Sequence, residues 1–259
     1  MAKSVIIYSE QEIQKIERAC KIAAATLDFI TPYVQEGVTT EELNGICEDY
    51  MRSHGTHPAP LTKGFPKAVC ISLNNVVCHG IPGKRVLRKG DILNIDVSLS
   101  LDGWYADNGR MYYVGPVSKE AHKLTRVTYE AMLLGIAAVR PGARLGDLGH
   151  AIQSHVQKNG FSVVRDYCGH GVGRSLHTEP HVPHYGKPNT GLELQEGMVF
   201  TLEPMINAGK YEVYLAKDNW TVLTADNSLS AQFEHTIVVT RDGHRVLTQA
   251  ADGLEFPTC

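Results

Sequence analysis

Apolar positions in the first part of the chain recur at helical spacing. Ile13, Ile16, Ala19, Cys20, Ala23 and Ala24 fall three or four apart behind Ser9 and Glu12, a serine–glutamate pair whose side chains and backbone can cap each other at a helix start. The spacing predicts a helix with Pro32 in its last turn. Thr39 and Glu42 repeat the signature, and the helix they open runs through Leu43, Ile46 and Cys47 and stops at Gly55. A proline-rich loop holding Pro58 and Pro60 comes next. The period then shortens. Val69–Ser72 and Val76–Cys78 read as short strands and Ile92–Leu101 as a long, buried one; Asp102-Gly103 is a hairpin dipeptide, and Trp104–Val114 returns. A third helix is predicted from near Ser118 to Val139, ahead of Pro141-Gly142, and a fourth from near Gly146 to Asn159-Gly160. From Phe161 onward the pattern is strands and turns, with Met198–Glu203, Trp220–Leu223 and Gln232–Thr240 the clearest strands.

A weak internal repeat underlies this order. Val34, Gly37, Leu43 and Gly55 recur as Val139, Gly142, Leu148 and Gly160, each shifted by 105 residues. Four matches among common residues are suggestive, and coincidence is the competing reading. If the repeat is real, two α+β halves related by a pseudo-two-fold would face each other, with a site between them fed by strands of both.

Composition narrows the classes. The chain has 259 residues, long enough for a sizeable core without disulfides. Lys and Arg number 25 against 28 Asp and Glu, a formal charge of −3, which excludes a strongly basic nucleic-acid binder by bulk charge. No apolar run approaches the roughly 18 residues of a membrane span, and Met1–Ile7 holds no signal-peptide core. Cys20, Cys47, Cys70, Cys78, Cys168 and Cys259 form no CxxC pair, so they read as reduced thiols of a cytosolic protein, mostly small buried hydrophobes.

Polar residues inside apolar strands carry the chemistry. Asp96 sits in Ile92–Val97, where a carboxylate is costly unless it is paired or holds a metal. If Asp102-Gly103 is a two-residue turn, Leu101 pairs with Trp104 and Ser98 faces Asp107. Asp96 then lies diagonal to Asp107 on one face, about 7–8 Å away at the backbone. Glu203 ends the strand Val199–Glu203, and Glu234 lies within Ala231–Val239. Four such carboxylates lack basic partners in the same strands, and two divalent cations would supply the balancing charge. His170, flanked by Gly169 and Gly171, can approach them closely. Two aspartates, two glutamates and one histidine suit Mn, Fe, Co or Zn. Read singly, His79 and His177 have the default of surface histidines, as do His54, His57, His122, His150, His155, His181, His184 and His244. His235 adjoins Glu234 but alternation turns it to the opposite face.

The motifs Cys78-His79-Gly80-Ile81-Pro82, Asn94-Ile95-Asp96-Val97, Gly169-His170-Gly171, Thr201-Leu202-Glu203-Pro204-Met205 and Ser230–Thr236 resemble type I methionine aminopeptidase over nearly the whole chain, in the short bacterial form. The resemblance implies the α+β "pita-bread" fold of the creatinase/aminopeptidase class. In it two pseudo-symmetric halves, here about 1–115 and 116–259 of one catalytic domain, share a central antiparallel sheet with helices outside. It implies metal ligands at Asp96, Asp107, His170, Glu203 and Glu234. It places substrate-contacting and catalytic histidines at His79 and His177, with Glu203 as the proton shuttle. A methionine pocket would fall at Thr62, Phe65, Cys70, Leu176 and Trp220, and a monovalent-cation site (Na or K) at Asn74, Val76 and Ser230. Three positions depart from the family pattern: Asn108 stands where Thr is usual, and Thr62 and Leu176 stand where aromatic residues are common.

The implied activity is removal of the N-terminal methionine from nascent proteins with a small second residue. The implied setting is a cytoplasmic monomer working near the ribosomal exit tunnel, without DNA or membrane partners. Two alternatives remain open. A prolidase or Xaa-Pro aminopeptidase of the same fold would usually carry an additional N-terminal domain. A low-activity paralogue acting as a binding module would be expected to have lost metal ligands, whereas all five positions here keep metal-competent side chains.

Overall fold

The computed structural model describes residues 4–251, 253 and 255–257. Cys259 and Met1–Lys3 lie outside the described residues. Helix α1 (Glu10–Ile30) begins where expected, the Glu12 carboxylate accepting from both the Ser9 N–H (2.9 Å) and the Ser9 hydroxyl (2.8 Å). Pro32 falls past its end, in a separate 3₁₀ turn, Thr31–Tyr33, because proline has no N–H to continue the α-helical ladder. Helix α2 (Thr40–Ser53) carries the Thr39–Glu42 box, and the chain leaves it through Gly55 at φ +73°. The proline-rich segment is more ordered than a loop: β1 (His57–Pro58) pairs with Leu99 and Ser100, and α3 (Ala59–Thr62) is a single turn.

Strands β2 (Cys70–Leu73), β3 (Val76–Cys78), β4 (Ile92–Leu101) and β5 (Trp104–Tyr113) follow. Asp102 (φ +52°) and Gly103 (φ +75°) make the turn between β4 and β5, and the register is the expected one, with Leu101 opposite Trp104 and Ser98 opposite Asp107. β4 pairs β5 along one edge and β1 and β2 along the other. Against this sheet α1 buries Ile13, Ile16, Cys20, Ala23, Leu27 and Ile30. At about 1.5–3 kcal/mol for each large aliphatic side chain, docking rather than intrinsic propensity holds α1 in place.

The second part of the chain begins with α4 (Lys119–Ala137) and α5 (Leu145–Lys158). Both bounds of α5 lie 105 residues after those of α2, and the paired glycines Gly37/Gly142 and Gly55/Gly160 all have positive φ. The remaining strands are β6 (Ser162–Val163), β7 (Gly169–Gly171), β8 (Thr178–Val182), β9 (Val199–Leu202), β10 (Met205–Asn207), β11 (Val213–Leu215), β12 (Val222–Thr224), β13 (Ser230–Gln232), β14 (His235–Thr240) and β15 (Gly243–Val246). They form sheets ordered β13-β10-β6, β11-β12-β3 and β15-β14-β9-β7-β8, all pairings antiparallel. A second core packs α4 and α5 against these strands through Leu124, Ile136, Leu148, Ile152, Phe200 and Ile237.

The predicted strand Gln232–Thr240 is two strands, interrupted at Phe233-Glu234. Its partner is interrupted too, at Glu203-Pro204. His235 pairs with Leu202 on one side and Gln232 with Met205 on the other, in one unbroken register. Glu203 and Glu234 therefore face each other across a gap in the ladder, where Pro204 has no N–H to give. Glu234 instead bridges to β5: its N–H donates to the Gly109 carbonyl at 2.9 Å. A Cβ on Gly109 would lie 3.3 Å from the Glu234 Cβ, so a residue without one permits the approach.

Candidate active site

The gap in the ladder and the β4–β5 hairpin deliver their carboxylates to one place. Asp96 and Asp107 come from the hairpin, Glu203 and Glu234 from the two sides of the gap, and His170 from β7. Asp96, Asp107 and Glu234 bring ligand atoms within 4.8 Å of one another, as do His170, Glu203 and Glu234, and as do Asp107, His170 and His177, so Glu234 links the first two groups and Asp107 links the first to the third. His170 Nε2 stands 3.6 Å from Asp107 and 3.5 Å from Glu203, while its Nδ1 lies 3.2 Å from the Gly171 carbonyl. With the proton on Nδ1 for that carbonyl, the Nε2 lone pair is turned towards the carboxylates.

The cluster is electrostatically unfavourable by itself. Burial pushes Asp96 up to about 6 and Glu203 up to about 8. Burial, with the charges of their neighbours, drives Asp107 and Glu234 well above the usual carboxylate range. Burial, then the neighbouring His177, pushes His170 down to about 3, so the imidazole is neutral and available as a ligand. Among the described residues no Lys or Arg pairs with any of the four carboxylates. Asp96 Oδ1 and Glu234 Oε1 are buried with no hydrogen-bond partner. Orphaned oxygens, four unbalanced carboxylates and a neutral imidazole fit divalent cations, and two groups sharing one glutamate fit two of them.

Supporting residues fix the donors. Thr201 accepts from the His170 N–H (3.0 Å) and donates to Glu203 Oε1 (2.8 Å). Gln232 Nε2 donates to Glu203 Oε2 (3.1 Å), and Ser98 donates to Asp107 (2.7 Å). The Glu203 N–H donates to His184 Nε2 at 3.0 Å. His184 is fully buried and held neutral, with a pKa near 3, which corrects its expected surface position. Thr201 and Gln232 precede Glu203 and Glu234 by two residues each, polar positions on the same strand faces, and that alternation was a usable signal. His184 carried none, because its side chain meets the Glu203 N–H only through the tertiary fold.

The cluster forms the floor of a cavity of about 450 Å³. Phe65, Cys70, Leu176 and Trp220 line it, with Phe65 and Trp220 edge to face at 5.3 Å. Thr62 does not: it is exposed, its hydroxyl tied back to the Ala59 carbonyl within α3, and Lys63 reaches the cavity instead. His79 and His177 both line it. His79 is set by a left-handed backbone (φ +55°) and meets Tyr167 edge-on at 5.7 Å; His177 lies 4.3 Å from the His170 ring. Burial lowers the pKa of both histidines. Asn108 points away from the carboxylates, donating to the Thr248 carbonyl at 3.3 Å, and His235 likewise turns to Thr248 and Glu255. The Asn74 carbonyl accepts from the Ser230 N–H (2.8 Å), bringing β13 beside the turn ahead of Val76. His155 and His244 are half-buried rather than exposed, bonded to Glu130 and to the Val139 carbonyl.

Residues 14–241 match metallopeptidase family M24. The chain belongs to that family. It is 55% identical over 256 residues to a methionine aminopeptidase of Rickettsia prowazekii, covering 98% of this chain and 99% of that one. To the methionine aminopeptidase of Escherichia coli K12 it is 48% identical over 252 residues, 96% of each chain. The crystal structure of the Rickettsia enzyme superposes with a TM-score of 0.93 over 95% of this chain and 100% of that one. A prolidase from Pyrococcus horikoshii shares the fold at TM-score 0.76 and 24% identity, covering 95% of this chain and 64% of that one. The fold is the α+β pita-bread fold, and the likeness is to the short type I bacterial form. No helix among the described residues is long and apolar enough to cross a membrane.

Proposed function

We propose that this M24 metallopeptidase removes the N-terminal methionine from polypeptides whose second residue is small. One observation carries the reading: Glu234 joins two three-residue groups of metal-competent side chains at the floor of an apolar cavity. Asp96, Asp107 and Glu234 would hold one divalent ion, and Asp107, His170, Glu203 and Glu234 the other. Ions bound there supply Lewis acidity and an activated nucleophile at neutral pH.

The chain's own residues do the rest. Phe65, Cys70, Leu176 and Trp220 receive the methionine side chain, and the likeness to methionine aminopeptidases supports a preference for a small second residue. His177 donates a hydrogen bond to the scissile carbonyl oxygen as charge develops on it, and His79 bonds the scissile amide. Their lowered pKa keeps both neutral at pH 7, so each keeps one N–H donor and adds no full positive charge beside the metal ligands. Glu203, its two oxygens oriented by Thr201 and Gln232, takes the proton from the attacking water and passes it to the leaving amine.

The same reading extends to Co, Mn, Fe or Zn as working ions, and to a sodium or potassium ion at the carbonyls of Asn74, Val76 and Ser230. It extends also to a single catalytic domain acting as a monomer in the cytoplasm on chains leaving the ribosome. The test is cleavage of Met-Ala-Ser against Xaa-Pro peptides by protein loaded across a metal series, with Asp96→Ala as the inactive control. Preferential cleavage of Xaa-Pro bonds would transfer the protein to the prolidase-like branch. Metal uptake with no cleavage of either peptide would favour a binding role.

A further inference from the structure

A second donor set stands at the mouth of the cavity. Cys168 precedes His170 by two residues, so both face the cavity from the β7 segment. His181 pairs with His170 across the β7–β8 ladder and faces the same way. This register brings Cys168 Sγ to 3.6 Å from His181 Nδ1. On its other side His181 Nε2 lies 3.7 Å from Glu179 Oε1, and its N–H donates to Glu179 Oε2 at 3.2 Å. None of the three belongs to the carboxylate centre or takes part in the proposed hydrolysis.

The spacing is that of two ligands on one soft ion. With Zn–S about 2.3 Å and Zn–N about 2.0–2.1 Å, tetrahedral angles put the sulfur and nitrogen about 3.5 Å apart. The carboxylate behind Nε2 is a second, independent sign. A ligating histidine commonly has a carboxylate beyond its other ring nitrogen, and Glu179 stands on that side at 3.7 Å, an ion-pair rather than a hydrogen-bond distance, with Nδ1 turned to the sulfur. The thiolate–imidazole pair selects soft and borderline ions, whereas the carboxylate floor accepts hard ones such as manganese.

The geometry points to Cys168 and His181 as a zinc-class binding clip at the cavity entrance, oriented by Glu179 and separate from the carboxylate centre. A zinc, cadmium or copper(I) ion held there stands across the substrate's path. Soft ions therefore inhibit the manganese-loaded enzyme by occupying the clip.

Cadmium titration of the full manganese-loaded protein tests this through the ultraviolet charge-transfer absorption of a cadmium–thiolate bond. None of the five floor ligands is a thiolate, so displacement of manganese there gives no such band. One equivalent of band is expected, rising in step with loss of Met-Ala-Ser cleavage. Cys168→Ser should abolish the band and His181→Gln should weaken cadmium binding about tenfold or more, both with basal cleavage retained. Glu179→Gln should weaken binding by about tenfold. A band that persists in Cys168→Ser, pointing to Cys70 or Cys78, overturns the assignment, as does unchanged affinity in His181→Gln. His181 is an exposed side chain, so its variant decides the matter even if Cys168→Ser folds poorly. The band is read without substrate, so it stands or falls independently of the peptidase reading.

Discussion

Glu203 shows how a single side chain depends on residues far from it in sequence. Its carboxylate is aimed by Thr201 and Gln232, and its N–H, left over at the broken ladder, is taken by His184. His184→Ala would leave that N–H buried and unpaired, a cost of about 1–3 kcal/mol. The expected outcome is a lower melting temperature and metal affinity weakened about 10–100-fold, as for other residues that orient ligands. Metal titration by calorimetry would show it, and unchanged affinity would remove His184 from any positioning role. Asn108 makes the opposite case. Its side chain faces away from the aspartate beside it. Asn108→Thr should therefore change kcat by no more than about threefold, within the ordinary effect of a substitution that touches no functional group. A large gain in kcat would mean that the position acts on catalysis by a route absent from these contacts.

At the level of elements, the hairpin was legible because its determinants are local. Asp102-Gly103 sets a two-residue turn, the turn sets the register, and the register puts Asp96 and Asp107 on one face. Gly103→Ala places a Cβ at φ +75°, where left-handed backbone costs about 1–2 kcal/mol. Denaturant melts should show that loss with cleavage per folded molecule unchanged; loss of metal binding in folded protein would mean the register had slipped. The break in Gln232–Thr240 was not legible. Nothing in that run interrupts a strand, since the interruption comes from Pro204 on the neighbouring segment and from Gly109 on β5. Thr62 failed for a related reason: whether a residue beside Phe65 faces the pocket depends on the single turn α3, which short-range pattern does not reveal.

Across the whole molecule, the carboxylate cluster ties stability to pH and to metal. A carboxyl whose pKa is raised by folding stabilises the fold fully below its unfolded value, about 4, and loses that contribution as pH rises through the folded value. The folded values are about 6 for Asp96 and about 8 for Glu203. His170 and His184, held near 3, act in the opposite sense, but only below the unfolded histidine value of about 6.5. Between about pH 6.5 and 8 the carboxyls dominate, so the metal-free protein should melt at progressively lower temperature. Saturating manganese should reverse the trend, because its ligands bind deprotonated. Melting curves with and without chelator across that interval would check both signs, and a flat metal-free profile would show that the carboxyls are not held protonated. In the metal-free protein, Asp107→Asn should make the fall of melting temperature with rising pH shallower, by removing one of the titrating carboxyls, and should remove the metal-induced rise.

The four long helices, the capping boxes of α1 and α2, the β4–β5 hairpin and the five metal-competent side chains were set by the sequence itself. Each rests on spacing within a few residues, on alternation along one strand, or on a charge too costly to bury without a purpose. The repeat of 105 residues likewise foretold matching helices in the two parts of the chain. Tertiary structure alone decided the facing of Glu203 and Glu234 across a shared gap, the burial of His184, the outward turn of Thr62 and the meeting of Cys168 with His181. Those outcomes depend on which strand lies beside which and where a ladder stops, and pairing between distant segments leaves little trace in the local order of residues.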